Sequence, residues 1–279
     1  MIPVPAGRAR RLKNAAAQRP NSLEGTGMTH RFRCTACGQC CFGQLPLTLD
    51  DALANAGLFP LAMIWTPLRK GAKDHASVAR LGVTIRVTPK DELAVLIVPT
   101  AYIPPDQPCP ALGEDRLCSI HSHKPLRCRT MPFYPYREEQ FQGEMLSPRK
   151  GWQCDVSDAA PIVFHERKVL ERADFENERN AILLQKPVIK AYADYMLKYS
   201  PFLVADLAKA AMKRQGGQVV SSLSSFLTAS RNPQAKQIAN LQAQALGRAL
   251  ALTAGVQEYA DYAASYGGWK KEMDYLAAR

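Results

Sequence analysis

Four cysteines crowd into one ten-residue stretch near the start of this chain. The stretch reads Phe32-Arg-Cys34-Thr-Ala-Cys37-Gly-Gln-Cys40-Cys41. A Cys-x2-Cys step lets one turn of backbone present two thiolates to one metal ion, and Gly38 allows the sharp bend that such a turn needs. Because adjacent side chains do not easily share one tetrahedral site, Cys41 either contacts a second metal or packs as a small hydrophobe. The stretch predicts a metal-binding loop around which the fold is organised.

The other cysteines are Cys109, Cys118, Cys128 and Cys154, and none follows them. The first three are too widely spaced to close a site by local geometry, so we expect them to form the far wall of the same site. Cys154 is either a late ligand or an inert thiol. A Cys-x2-Cys-x2-Cys run with a distal Cys-Pro, here Cys109-Pro110, is typical of iron–sulfur proteins. Zinc accepts four thiolates equally well, and eight thiols suffice for two four-thiolate sites.

Composition predicts a soluble globular protein. Of the 279 residues, 47% are apolar and 22% are charged, as in ordinary globular chains. The longest apolar stretch, residues 93–99, is far shorter than the roughly 20 residues of a membrane-spanning helix. The net charge of +11 is spread along the chain outside the first 27 residues, so no specific nucleic-acid partner is expected. The predicted partners are a metal ion or cluster and, in addition, a protein.

Residues 1–27 are a basic leader. They carry five basic residues and one acidic residue, and they lack the apolar region of a secretory signal peptide. We expect either a disordered leader or a mis-assigned start, with Met28 as the true start. Without a signal, we predict a cytoplasmic protein whose cysteines bind metal instead of forming disulfides.

The predicted fold class is α+β. Val83, Ile85 and Val87 alternate with polar residues, and the apolar run 93–98 follows a turn-like segment, which predicts a β-hairpin. Residues 100–135 hold too many prolines for a helix or a central strand and are expected to be irregular. From about residue 161, apolar positions recur with helical period. We therefore divide the chain into the leader, a small irregular cysteine-cluster domain with a hairpin at 28–158, and an all-α helical bundle at 159–279.

Several basic residues lie within four positions of a cysteine and are expected to offset the negative charge of the thiolates. They are Arg31, Arg33, Lys124, Arg127 and Arg129. His121 and His123 are weaker candidates for ligands, since a surface histidine in a loop needs no special explanation.

The cysteine pattern resembles the YkgJ-type cysteine-cluster family, which is described as zinc- or iron-chelating. The resemblance is carried by Phe32-x-Cys34-x2-Cys37-Gly38-x-Cys40-Cys41 and then by Cys109-Pro110, Cys118-Ser-Ile, Pro125-x2-Cys128-Arg129 and Pro132. It covers roughly residues 30–156 and implies that all eight cysteines are metal ligands. Many members have Tyr and Arg where this chain has His121 and Lys124. The group is also similar to flagellin lysine N-methylases.

Three functions follow from these observations. The first is a cytoplasmic protein that holds an iron–sulfur cluster or iron and serves in redox chemistry or in substrate activation. The second is a zinc-stapled structural or interaction module, in which the metal orders the proline-rich loop. The third, implied by the resemblance alone, is an enzyme like a protein lysine methylase that depends on S-adenosylmethionine; no glycine-rich nucleotide loop supports it.

Overall fold

The computed structural model describes residues 29–214 and 216–279. The predicted leader at 1–27 lies outside the described residues. The strands, in chain order, are β1 (His30–Arg31), β2 (Leu45–Pro46), β3 (Leu61–Arg69), β4 (Val83–Arg86), β5 (Glu92–Ala101), β6 (Ile162–His165), β7 (Lys168–Val169) and β8 (Val219–Ser222). The helices are α1 (Leu49–Ala54), α2 (His75–Leu81), α3 (Leu126–Thr130), α4 (Arg172–Tyr199), α5 (Leu203–Ala211), α6 (Leu223–Ser230), α7 (Ala235–Thr253) and α8 (Ala260–Ala278). The α+β class is confirmed.

The main sheet is antiparallel and has the order β2-β5-β3-β8, with β4 also paired to β5. β3 and β5 form nine consecutive residue pairs, from Leu61 opposite Ala101 to Arg69 opposite Leu93. β4 pairs with β5 from Val83 opposite Val95 to Arg86 opposite Glu92, which confirms the predicted hairpin. The first turn of α1 follows directly from β2 and has the side chain of Thr48 as its N-cap.

A second, three-stranded sheet has the order β1-β6-β7. Its first pair joins the segment just before the cysteine loop to the segment just after Cys154, with His30 opposite Phe164. Small as it is, this sheet fixes the two ends of the cysteine-containing region beside one another.

The main core lies between one face of the five-stranded sheet and the helices. Alternate residues of β3, including Leu61, Met63 and Trp65, face this core, and each is fully buried. Tyr192 of α4, Leu207 of α5 and other buried residues of α6, α7 and α8 complete it. The core therefore draws residues from both sides of the predicted boundary at 158–159, and that division of the chain stays a prediction.

Strands in the region that was expected to be all-α are the main difference from the sequence analysis. β6, β7 and β8 all lie there, and β8 extends the main sheet through pairs such as Ala62 opposite Ser222. Four residues are too few to show a strand periodicity among strong helix signals. β3 was also missed, because Pro67 near its end argues against a strand.

Candidate metal centre

The cysteine loop is a sequence of tight turns. Ala36 and Gly38 both have positive φ, at 54° and 70°, and the amide of Cys41 donates to the carbonyl of Gly38 at 3.0 Å. A Cβ atom on Gly38 would lie 3.0 Å from the carbonyl oxygen of Arg116. Glycine is therefore needed here both for its backbone conformation and for the close approach of a second loop.

Cys41 lies directly opposite Cys109. An isolated antiparallel bridge pairs Phe42 with Pro108, and the amide of Cys109 donates to the carbonyl of Cys41 at 2.8 Å. The register continues on the other side, where the amide of Gly43 donates to Gln107 at 3.1 Å. Backbone pairing thus joins two cysteines that are far apart in sequence.

Cys34 is paired with Cys154 in the same way. A second isolated bridge pairs Arg33 with Asp155, through hydrogen bonds of 2.8 and 3.0 Å in the two directions. The hydroxyl of Thr35 donates to the carbonyl of Gln153 at 2.9 Å, so the antiparallel register continues past the cysteines. Cys34 and Cys154 stand opposite one another between these two contacts. Residues opposite each other in such a pair have Cα atoms about 4.5–5.5 Å apart.

Cys118 lies on a tight loop that folds back towards Cys109. A bridge pairs Leu112 with Cys118, and the amide of Ser119 donates to Ala111 at 2.8 Å. The amide of Ala111 points at the sulfur of Cys109, 3.4 Å away. The loop therefore supplies one thiol, Cys118, and one N–H directed at a second sulfur.

Cys128 lies on α3, and residues remote in sequence hold this short helix. The carboxylate of Asp51 accepts from the amide of Leu126 at 3.0 Å, at the start of α3. Arg127 forms an ion pair with Glu178 of α4, with Nη1 and Oε2 3.4 Å apart and both side chains almost fully buried. Two residues further along α3, Arg129 donates to Asp174 of α4. These contacts fix the position of Cys128 against α4.

The thiols of Cys40 and Cys41 contact each other. The S–H of Cys41 donates to the Cys40 sulfur, which lowers the pKa of Cys40 to about 6, with a smaller contribution from Lys124. The same hydrogen bond, together with burial, raises the pKa of Cys41 far above its ordinary value. The lowered pKa of Cys40 favours its thiolate form, which is the form that binds metal.

The pKa values of the other cysteines indicate which sulfurs lie close together. Burial raises the pKa of Cys128 to about 12, with added repulsion from Cys109, Cys40 and Cys118. Burial also raises the pKa of Cys109, helped by Cys118 and Cys40.

On the other side of the loop, burial raises the pKa of Cys154, with repulsion from Cys37, Cys34 and Cys40. Burial opposes ionisation of Cys37 as well, but hydrogen bonds from the backbone of Gln39 and Gln153 leave its pKa lowered.

The thiols approach one another without closing a metal site. Across residues 29–214 and 216–279, no group of three or more His, Cys, Asp or Glu side chains is arranged to hold a metal ion. All eight cysteines are free; Cys34 and Cys40 are exposed and the others are partly buried. Soft thiolate donors suit zinc and iron, so the donor set fits these metals. Binding would require further movement of the thiol side chains, because metal–sulfur bonds are only about 2.3 Å long.

The expected charge compensation by nearby cations holds in part. Lys124 lowers the pKa of Cys40, and Arg127 lowers that of Cys128 against the larger effect of burial. The other three cations form ion pairs with carboxylates: Arg31 with Asp158, Arg33 with Asp155 and Arg129 with Asp174.

His121 and His123, the weaker candidates for metal ligands, lie together in a short 3-10 turn at His121–His123. Both side chains are exposed, and Nδ1 of His123 is hydrogen-bonded to the hydroxyl of Ser122 at 3.0 Å. A role for either histidine as a ligand stays a prediction.

Sequence reasoning did not identify the acidic residues that support the site. Asp51 is visible as the fourth residue of a capping box, yet its second contact, with the start of α3, leaves no local signal. Asp174 and Glu178 are four residues apart and so lie on one face of a helix. Nothing in the spacing indicates that this face meets Arg127 and Arg129.

The geometry agrees with a comparison against family models. Residues 33–148 match the model CxxCxxCC, described as "Putative zinc- or iron-chelating domain". The match ends before Cys154. Comparisons with curated proteins and with solved structures gave no match, so the similarity to flagellin lysine N-methylases stays a prediction. Residues 33–148 of this chain are therefore similar to the cysteine-cluster family of zinc- or iron-chelating domains.

Proposed function

We propose that this protein holds iron, as an iron–sulfur cluster or as bound ions, through its cysteine thiolates, and that the iron serves in electron transfer or in activating a substrate. The observation that carries the proposal is the pairing of Cys41 with Cys109 and of Cys34 with Cys154. Each pair joins distant segments through backbone hydrogen bonds, so the backbone holds these cysteines opposite one another independently of any metal. A backbone that is already ordered loses less conformational entropy when a metal binds, and the thiol side chains then move to contact it.

Exposure supports a role in electron transfer. Cys34 and Cys40 are exposed, whereas the remaining cysteines are partly buried. A centre built on them would lie at the surface, where a redox partner protein can approach. The free state of all eight cysteines agrees with a reducing compartment such as the cytoplasm.

A cleft supports the substrate-activating alternative. It has a volume of about 550 Å³ and is lined by polar and aromatic side chains, among them Gln44, Tyr102, Lys213 and Tyr262. Gln44 follows Cys41 by three residues, so their Cα atoms are at most about 11 Å apart. A small polar molecule in this cleft would lie near the cysteine loop.

A zinc-stapled structural module is the second candidate. It is favoured by the segment between β5 and α3, which has no regular structure apart from the short turn at His121–His123. This segment is anchored through the backbone at Cys109 and Cys118. A metal that tied these two positions to the cysteine loop would stabilise it without any reaction.

Anaerobic purification distinguishes the two candidates. We expect a brown protein with broad absorption at the violet end of the visible range, and elemental analysis that finds iron together with sulfide. Colourless protein with stoichiometric zinc would contradict the iron proposal and support the structural module. Cys37→Ser should lose metal in either case, whereas Ser122→Ala, an exposed change in the same region, should retain it. Cys37→Ser protein with unchanged metal content would contradict the ligand assignment.

A further inference from the structure

The cleft of about 550 Å³ lies where strand β3 extends beyond its neighbour β8. β8 pairs with β3 only as far as Trp65 opposite Val219, whereas β3 continues to Arg69. A turn after α5 borders this step, because Gly216 has a φ of 79° and its amide donates to the carbonyl of Lys213 at 3.0 Å. Sites for small molecules commonly have volumes of about 300–1,000 Å³. The cleft therefore has the size of a small-molecule site, and hydrogen-bonded backbone bounds it.

The two ends of the cleft differ in their chemistry. At one end the rings of Tyr102 and Tyr262 are stacked, with their centroids 4.6 Å apart. Tyr102 directly follows β5, beside the start of β3. Thr66, which lines the other end together with Lys213, is the sixth residue of β3 and lies about 17 Å further along the strand. The cleft is therefore elongated, with an aromatic end and a basic end.

Several cations surround the basic end. Lys213 lines the cleft, and Nη1 of Arg69 lies 3.2 Å from Sδ of Met212, the residue before it. Arg214 follows, and Arg69, Lys213 and Arg214 are all exposed. Within residues 29–214 and 216–279, none of these three cations forms an ion pair with a carboxylate. None of the described residues that line the cleft is acidic. This end therefore carries positive charge that the described protein groups do not offset, and it attracts anions.

Polar side chains along the cleft can bind the rest of a ligand. Gln44, Thr66 and Gln218 all line it. In the part of the chain that the structure describes, their side chains form no hydrogen bond. Amide and hydroxyl groups both donate and accept hydrogen bonds. They therefore suit a ligand that has hydroxyl groups or ring nitrogens between its two ends.

We infer that this cleft binds a phosphate monoester of an aromatic ring compound, with the ring at Tyr102 and Tyr262 and the phosphate at Lys213. A phosphate monoester carries about −1.5 to −2 charges near pH 7, which suits a group of three cations better than a carboxylate does. A nucleoside monophosphate has these features. The inference rests on the substrate-activating part of the proposed function and names the substrate class of the same cleft. Binding itself requires no metal.

Calorimetric titration of the full chain tests this assignment, with adenosine monophosphate, phenyl phosphate and adenosine as the three probes. Both phosphate esters should bind, and adenosine should bind at least about tenfold more weakly than its monophosphate, because it lacks the charge that the exposed cations attract. Lys213→Met should weaken binding of adenosine monophosphate about fivefold, the effect of one exposed ion pair. Gln218→Glu, which adds a carboxylate to the cleft, should weaken it at least as much. Lys236→Met removes an exposed lysine that does not line the cleft and should leave the affinity unchanged.

Three results would overturn the assignment. They are no binding of either phosphate ester at millimolar concentration, equal affinity for adenosine and its monophosphate, and unchanged affinity in both Lys213→Met and Gln218→Glu. Tighter binding of a single-stranded oligonucleotide than of adenosine monophosphate would also overturn it, in favour of a nucleic-acid surface. Far-ultraviolet circular dichroism shows whether each variant is folded, and the comparison of the probes on the wild-type chain decides the matter if a variant is not.

The iron content of the same samples separates this inference from the proposed function. An iron-containing chain that binds neither ester would refute the assignment of the cleft alone. An iron-free chain that binds both esters would refute the iron proposal and leave the assignment of the cleft intact.

Discussion

The buried ion pair between Arg127 and Glu178 gives the sharpest prediction about stability. The two side chains are 4% and 3% exposed, and Nη1 of Arg127 lies 3.4 Å from Oε2 of Glu178. With an effective dielectric constant of about 20, the attraction over this distance is about 5 kcal/mol. This attraction opposes the cost of burying the Glu178 carboxylate away from water, a cost that raises the pKa of Glu178. The change Glu178→Ala removes the attraction and leaves the cation buried, which costs about 3–5 kcal/mol.

Urea denaturation with matched variants measures this cost. Asp174→Ala is the control, because Asp174 is also on α4 and pairs with an arginine beside Cys128, but its side chain is 41% exposed. Exposed pairs contribute at most about 1 kcal/mol. In the described part of the chain, Nε and Nη1 of Arg127 have no hydrogen-bond partner. The double change Arg127→Met/Glu178→Leu should therefore recover most of the loss. A cost below about 1 kcal/mol for Glu178→Ala would refute this reasoning.

Three further predictions concern Gly38, Gln242 and Glu139. Gly38→Ala should lower the free energy of unfolding by about 1–3 kcal/mol, because Gly38 has a positive φ, and it should weaken metal binding as measured by competition with a chelator. Gly71 also has a positive φ, but a Cβ atom there would have no neighbour within 4 Å. Gly71→Ala should therefore leave the metal affinity unchanged. Gln242→Leu should lower the free energy of unfolding by several kcal/mol. The side-chain amide of Gln242 forms hydrogen bonds with buried backbone atoms of Ala56, Phe59 and Leu61, and each buried group left without a partner costs about 1–3 kcal/mol. Gln244→Leu, a change at an exposed residue of the same helix, should change stability little. Burial raises the pKa of Glu139, but pairing with Arg172 outweighs burial and lowers this pKa below 4.5. The ion pair therefore stabilises the fold above pH 4.5, and this stabilisation is lost as the pH falls through the pKa of Glu139 in the folded protein. When the free energy of unfolding is measured against pH, the wild-type protein should lose about 1 kcal/mol in this range, and Glu139→Gln should not.

Local features were predictable from the sequence. The turn at Gly38, the cap at Thr48 and the hairpin from Val83 each depend on residues within about ten positions of one another, so their signals are visible in a short window. The irregular character of the segment after β5 was also predictable, since its prolines cannot donate backbone hydrogen bonds.

Long-range pairings were not predictable. β8 pairs with β3 across more than 150 residues, and its four residues carry no periodic signal of their own. Isolated bridges place Cys41 opposite Cys109 and Cys34 opposite Cys154. Such bridges lie outside regular strands, so no alternation of apolar and polar residues predicts them. The sequence could therefore indicate that distant thiols meet, but it could not indicate which thiols pair.

The ion pairs of the basic residues near the cysteines were also not predictable from the sequence. Proximity in sequence suggested that Arg127 and Arg129 offset thiolate charge. Their side chains pair with Glu178 and Asp174 of α4, and of the two only Arg127 also lowers the pKa of a described cysteine, Cys128. Only the tertiary arrangement reveals that these arginines attach the segment containing Cys128 to the helical half of the chain.

X-ray absorption at the edge of the bound metal tests the central claim most directly, since it reports the atoms that surround the metal in the intact protein. The claim is that thiolates from distant segments surround a common metal. We predict a first shell made of sulfur alone, with four neighbours at about 2.3 Å. A first shell dominated by nitrogen or oxygen, or anaerobically purified protein without any bound transition metal, would contradict it.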